Sequence, residues 1–346
     1  MRCWVNKAIE TIMADYQRSA DTHLIKLDIP LFKGIDIYLK DESAHLTGSL
    51  KHRLARSLFL YGLCNGKIIE GTTIIEASSG STAISEAYFA QILGLPFIAV
   101  IPSTTSSRKI TQIKAYGGKC HLVDAHNDIN SESVKLAELH QGYFMDQFTY
   151  AERATDWRGN NNIAESIFQQ MTLEKHSIPT AIVMGAGTGG TSATIGRYIR
   201  FKQHPSRVVV VDPDNSVFYS YYKNRDLSLN SNVASRIEGI GRPRVEASFQ
   251  ADVIDEMLQI PDEASIAAIY WLYAHTGLKA GASTGTNLWG VLQLAKEMQK
   301  KNEKGSIVTL LCDSGERYQE TYYNGLWVKE NIGCIQKHKD YLNSLY

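Results

Sequence analysis

The chain has 346 residues, with 36 Lys+Arg against 36 Asp+Glu and 44% hydrophobic residues, a globular composition with room for two domains or one large one. Zero formal net charge leaves no footprint for nucleic acid or an acidic membrane surface and points to a small-molecule ligand. The scattered cysteines Cys3, Cys64, Cys120, Cys312 and Cys334 show neither C-x-x-C nor metal-ligand spacing, the longest apolar run (residues 95–101) is far too short to span a bilayer, and no apolar signal core opens the chain, so reduced thiols, a cytoplasmic location, no metal and no membrane are expected.

Trp4, Ala8, Ile9, Ile12, Met13 and Tyr16 recur at helical spacing and predict an amphipathic N-terminal helix that packs on the rest of the protein. Beyond it, β-rich runs at 35–40, 73–77, 97–101, 120–124, 181–185, 207–212 and 306–311 alternate with helical stretches. Among these, 82–93 is stopped by Gly94-Leu95-Pro96 and 107–116 by Gly117-Gly118. Such alternation argues for βαβ units and an α/β fold. No repeat or Pro/Ser-rich linker marks a domain boundary, and the end of a βα run at 150–158 is the natural break.

Three loops carry groups suited to chemistry. In Thr47-Gly48-Ser49-Leu50-Lys51-His52-Arg53, a polar loop brings Lys51 to the start of an apolar helix. A helix N-terminus disfavours an ammonium charge, which suits an imine-forming amine, although most lysines are solvated surface charges. In Glu76-Ala77-Ser78-Ser79-Gly80-Ser81-Thr82, hydroxyls and backbone N–H groups gather where a strand meets a helix. That suits a carboxylate or phosphate, and equally an ordinary N-cap and turn. Met184-Gly185-Ala186-Gly187-Thr188-Gly189-Gly190-Thr191 follows a strand and opens a helix, so its backbone can close on a phosphate. Gly185, Gly187 and Gly190 also satisfy G-x-G-x-x-G, with Asp212 at the end of the next strand. An NAD(P)-dependent oxidoreductase is therefore a competing reading, one that leaves Lys51 and the hydroxyl loop unexplained.

Taken together and in order, these blocks resemble the cysteine synthase and cystathionine β-synthase family of fold-type-II, tryptophan synthase β-like enzymes that use pyridoxal 5′-phosphate (PLP). The resemblance implies two α/β domains, 1–154 and 155–346, with the cofactor in the cleft between them and the first ~40 residues free to pack on the second domain. It implies that Lys51 forms the Schiff base and removes the Cα proton. Ser78, Ser79, Gly80 and Thr82 resemble the loop that grips the substrate α-carboxylate, usually T-S-G-N-T. Asp146-Gln147-Phe148 is similar to a N-Q-F-like segment whose Gln147 helps there, and Ile237-Glu238-Gly239-Ile240-Gly241 resembles I-Q-G-I-G, with Gly239 beside the substrate. Gly187, Thr188, Gly189, Gly190 and Thr191 look like the loop for the cofactor phosphate, and Ser314 supplies a hydroxyl to the pyridine nitrogen, with Asp313 its adjacent rival.

Two positions depart from the synthase pattern. Ser81 replaces the Asn that contacts the PLP 3′-oxygen, and Glu238 stands where the synthases have Gln, offering a base for water or a merely structural carboxylate. Both blocks look more like the bacterial cysteine desulfhydrase subgroup than the biosynthetic synthases. The expected reaction is therefore β-elimination on L-cysteine with release of hydrogen sulfide, giving pyruvate and ammonia, or serine where water adds at Cβ. Synthesis of cysteine from O-acetylserine and sulfide is the alternative. The resemblance also implies a homodimer and an amino acid substrate.

Overall fold

The apolar runs become mostly parallel strands buried by the helices that connect them. Residues 2–19, 21–124, 128–159 and 161–345 are described by the computed structural model. Among them the strands are β1 (Leu24–Leu27), β2 (Ile35–Asp41), β3 (Ile74–Glu76), β4 (Phe97–Pro102), β5 (Lys119–Val123), β6 (Tyr143–Phe144), β7 (Ala181–Gly185), β8 (Arg207–Asp212), β9 (Glu256–Gln259) and β10 (Gly305–Leu311). The chain divides into two units, Met1–Asp21 with Ser49–Thr155 and Thr22–Gly48 with Asp156–Tyr346.

The first unit holds a parallel sheet of order β5-β4-β3-β6. Its core includes Leu58, Phe59, Ile74, Phe89 and Ile101, together with Ala8 and Ile12 from the N-terminal helix Arg2–Gln17. That helix presents the stripe expected of an amphipathic element, and each fully buried Ile or Phe of this core contributes about 1.5–3 kcal/mol of transfer free energy. The helix Ser81–Leu93 differs in kind, because Thr82 through Ala90 are all buried. A helix enclosed on every face makes any polar side chain along it conspicuous.

The second unit holds a sheet of order β1-β2-β10-β7-β8-β9, parallel apart from the antiparallel edge pair β1 and β2. Its core joins Ile37, Val183, Val209 and Ile307 to the helices Asp262–Thr276 and Ala282–Lys300. Residues 22–48 supply β1 and β2, and β2 pairs along its whole length with β10. The buried Lys40 of β2 donates from Nζ to the Thr22 carbonyl (2.7 Å) and to Gln170 Oε1 (2.7 Å), which offsets the cost of enclosing an ammonium. Strands β1, β6 and β9 fall outside the predicted runs, each being four residues or fewer and lacking a sustained alternation. None of the helices among the described residues is long and apolar enough to cross a membrane.

Candidate active site

In the first unit, Lys51 is the first residue of the helix Lys51–Cys64, and its backbone N–H donates to Ser49 Oγ (3.3 Å). Leu50 at the N-cap offers no side-chain cap and no acid occupies the first turn. The positive end of the helix dipole is therefore not neutralised by an acid of its own first turn, the setting expected to disfavour an ammonium. The hydroxyl loop connects β3 to the helix Ser81–Leu93. Ser78 to Ser81 are partly exposed, Ser81 being the first helical residue, and the Gly80 N–H donates to Ser78 Oγ (3.3 Å).

Thr82 and Gln147, distant in sequence, meet here. Thr82 Oγ1 donates to Gln147 Oε1 (2.8 Å), and both side chains are buried. Gln147 opens the helix Gln147–Ala154 behind Asp146, whose carboxylate accepts from the Thr149 N–H (3.3 Å) and caps it. Gln147 in turn donates its backbone N–H to Glu76 Oε2 (3.3 Å) and its Nε2 to Glu76 Oε1 (3.4 Å). A strand end, a helix start and a second helix start are thus joined in one polar chain.

In the second unit, the glycine loop lies between β7 and the helix Gly190–Lys202. A Cβ at Gly187 would run into the Gly239 carbonyl oxygen, so backbone touches backbone there. Gly189 has φ +83 and a Cβ on it would lie 2.7 Å from Phe249 Cα. Only glycine serves at these two positions. Thr188 is buried, its Oγ1 accepts from the Gly190 N–H (3.2 Å) and its carbonyl accepts from the Ser248 hydroxyl. No acid occupies the first turn of the following helix. A loop closed on backbone, leading into an acid-free helix N-terminus at Gly190 and Thr191, fits the phosphate of PLP.

The 237–241 segment lies against that loop: the Gly241 N–H donates to the Ala186 carbonyl (2.8 Å) and Ile240 packs on Gly185. Glu238 is half-buried, and its backbone N–H donates to Tyr322 Oη (2.8 Å), which donates onward to the Arg236 carbonyl (2.7 Å). Ser314 and Asp313 differ sharply. Asp313 is buried and its Oδ2 accepts a 2.6 Å bond from the Tyr318 hydroxyl. Ser314 is half-exposed, its backbone N–H donates to the Gly48 carbonyl (3.2 Å), and its Oγ accepts from the Glu316 N–H (3.4 Å). The Arg317 guanidinium also bonds the Thr47 carbonyl, so the last two residues of the Thr22–Gly48 segment are fastened to the Ser314–Arg317 turn.

Asp212 does not suit a ribose. It is fully buried, accepts from the Tyr219 N–H (2.8 Å), and is pushed up to about 7 by burial, partly countered by bonds from Ser216 and Tyr219. An enclosed acid that already accepts from the Tyr219 N–H is not open to two ribose hydroxyls, which removes the second half of the dinucleotide motif. Nothing in the sequence motifs assigns a role to Tyr318, which holds Asp313, to Tyr322, which holds the Glu238 backbone, or to Glu76 and Glu86. Glu86 carried a signal: a carboxylate in the middle of the apolar stretch Ile84-Ser85-Glu86-Ala87-Tyr88-Phe89.

The sequence profile described as pyridoxal-phosphate dependent enzyme matches residues 18–313. The chain is 57% identical over 331 residues to L-cysteine desulfhydrase Cds1 of Mycobacterium tuberculosis (strain ATCC 25177 / H37Ra), covering 94% of this chain and 90% of that one. It is 32% identical over 330 residues to the cysteine synthase of Aquifex aeolicus, covering 91% and 92% respectively. The solved structure of a hydrogen sulfide-producing enzyme (Fn1220) from Fusobacterium nucleatum superposes with a TM-score of 0.74 at 25% identity, over 90% of this chain and 98% of that one. By that profile and those relatives, the chain belongs to the pyridoxal-phosphate dependent enzyme family.

Proposed function

We propose that the protein is a PLP-dependent carbon–sulfur lyase that releases hydrogen sulfide from L-cysteine. The observation that carries the reading is its likeness, along nearly the whole chain, to a mycobacterial L-cysteine desulfhydrase, a nearer relative than the cysteine synthase. When bound, PLP supplies the electron sink that allows the Cα–H bond to break. Lys51 would hold the cofactor through Nζ, and the same amine would serve as the base for the Cα proton. Gly187, Thr188, Gly189, Gly190 and Thr191 hold the phosphate, and Ser81 contacts the 3′-oxygen. Ser78, Ser79, Gly80, Thr82, Gln147 and Gly239 hold the amino acid, with the α-carboxylate at the start of the helix Ser81–Leu93.

Ser314 faces the pyridine nitrogen in this reading, because the neighbouring Asp313 is already engaged by Tyr318. A neutral hydroxyl stabilises ring protonation less than a carboxylate does, which favours expulsion of the Cβ substituent over transamination. Sulfur departs with the Cβ–S bonding pair and leaves as hydrogen sulfide. Water then converts the remaining three-carbon unit to pyruvate and ammonia, or adds at Cβ with help from Glu238 to give serine.

The test is addition of L-cysteine to the PLP-loaded protein with sulfide, pyruvate and serine measured together. Sulfide matched by pyruvate plus serine supports the lyase; no sulfide release, with cysteine formed from O-acetylserine and sulfide, replaces it with a synthase. Glu238→Gln is expected to lower the serine share while sulfide release continues, and an unchanged product ratio makes Glu238 structural. The same reading gives a cytoplasmic homodimer, which light scattering at twice the chain mass supports and at one chain mass overturns.

A further inference from the structure

Glu86 lies within the fully enclosed stretch of the helix Ser81–Leu93, and neither of its carboxyl oxygens has a hydrogen-bond partner among the described residues. A carboxylate enclosed in this way would lose its hydration and gain nothing in return, so the side chain is held as the neutral acid. Its electrostatic neighbour Glu76 is equally enclosed at the end of β3. Burial, then the nearby Asp146, push Glu76 up to about 8, against the bonds from Gln147 and Ala77 that favour its ionised form. Tyr143 on β6 is a titratable neighbour of Glu86 and interacts in turn with Tyr150 on the helix Gln147–Ala154 and with Tyr61 on the helix Lys51–Cys64, whose His52 ring packs on Tyr88 and Phe89 of the Glu86 helix. Tyr143, pushed up to about 12 by burial first and these neighbours after, stays neutral across the working range. Two carboxyl groups that nothing in the reaction above uses thus flank the hydroxyl loop, one at each end.

We propose that Glu76 and Glu86 form a neutral acid pair that positions the substrate-carboxylate clamp. Glu76 receives the Gln147 amide, which turns Gln147 Oε1 toward the Thr82 hydroxyl and leaves the second Nε2 hydrogen to donate to the substrate. Because the pair carries no charge, the incoming α-carboxylate meets donors and not a buried anion. Loss of the Glu76 proton places a like charge behind the clamp and draws the Gln147 amide back upon it, so substrate binding weakens while the chemical step, measured at saturation, changes less. This inference rests on the reading of Thr82 and Gln147 as substrate clamp.

The experiment compares KM and kcat for L-cysteine in the PLP-loaded wild type, Glu76→Gln, Glu86→Gln and Gln147→Ala from about pH 6 to about pH 9.5. Ratios to wild type cancel the titration of cysteine itself. The expected result is that wild-type KM climbs by up to about tenfold per pH unit above about 8, that Glu76→Gln loses this climb, and that Glu86→Gln, which exchanges one neutral group for another, keeps it. A Glu76→Gln ratio that stays constant with pH, while Gln147→Ala raises KM, overturns the acid pair and leaves the clamp standing. An unchanged KM in Gln147→Ala at every pH overturns the clamp reading, and the inference with it. Infrared spectroscopy provides a readout independent of turnover and of folding in the Glu76 variant. A protonated-carboxyl band in neutral wild-type protein that is diminished in Glu86→Gln supports the pair, and identical spectra overturn it.

Discussion

The two helix N-termini that follow β3 and β7 are both suited to anions, yet they are built in opposite ways. At Gly187 and Gly189 the backbone is pressed against other backbone, with a Gly239 oxygen and Phe249 Cα where a Cβ would stand. At Gly80 a Cβ would meet nothing within 4 Å, and the loop around it relies on hydroxyls and on the bond from Thr82 to Gln147. A group that stays bound is served by a cradle of fixed backbone dipoles. A group that arrives and leaves each turnover is served by side chains whose hydrogen bonds can be exchanged. Beside the Gly80 loop lie two buried acids, Glu76 and Glu86.

The largest effect is expected outside both loops. Lys51→Ala should lower turnover by at least about 10⁴-fold, since on the proposed function it removes a covalent anchor and a base together. Circular dichroism should show an intact fold, and retained turnover would remove Lys51 from the chemistry. Gly189→Ala comes next, because the methyl group meets the Phe249 backbone at a positive φ. Strain of about 1–3 kcal/mol, before any clash, predicts at least a tenfold weaker hold on PLP, read from the absorbance of bound cofactor during dialysis. Gly80→Ala should leave cofactor retention unchanged and shift KM by no more than a few fold. Equal loss of cofactor in both alanine variants would break the contrast between the loops.

The smallest effect concerns stability against pH. Glu76 lies at about 8 in the folded chain against an ordinary 4.5, and Asp262 at about 7 against 3.8, raised by burial first and by Asp214 next. Such acids bind more protons folded than unfolded between the two values. Their contribution is therefore greatest below the ordinary value, falls as pH rises, and levels off once the folded value is passed. Urea midpoints should decline from about pH 5 to about pH 8, and Glu86→Gln, which removes a third buried acid raised well above its ordinary value, should make the decline shallower. Parallel declines in both proteins would mean that Glu86 keeps its ordinary titration in the folded chain.

Much of this was legible in the sequence, and for identifiable reasons. The runs at 181–185 and 207–212 coincide with β7 and β8, since four consecutive Val residues at 208–211 make a fully buried strand unambiguous. Strand β6 has two residues and takes its place only by pairing with β3, so no local pattern announces it. The enclosure of Asp212 was likewise hidden, because burial is set by neighbours remote in the chain. Asp212 reads as a ribose acid by spacing and is an enclosed cap of the turn at Tyr219.

What the sequence determined by itself is whatever depends on local order: the α/β alternation, the glycines at 187 and 189, the lysine opening a helix, and a family resemblance carried by ordered motifs. Tertiary structure alone decided which polar groups lose water and which partners they find. It joined Thr82 to Gln147 and Gln147 to Glu76, gave Asp313 to Tyr318, and enclosed Glu86 without a hydrogen-bond partner among the described residues. The physical reason is that a carboxyl group's charge state follows from desolvation and through-space neighbours, and neither is written in the residues beside it.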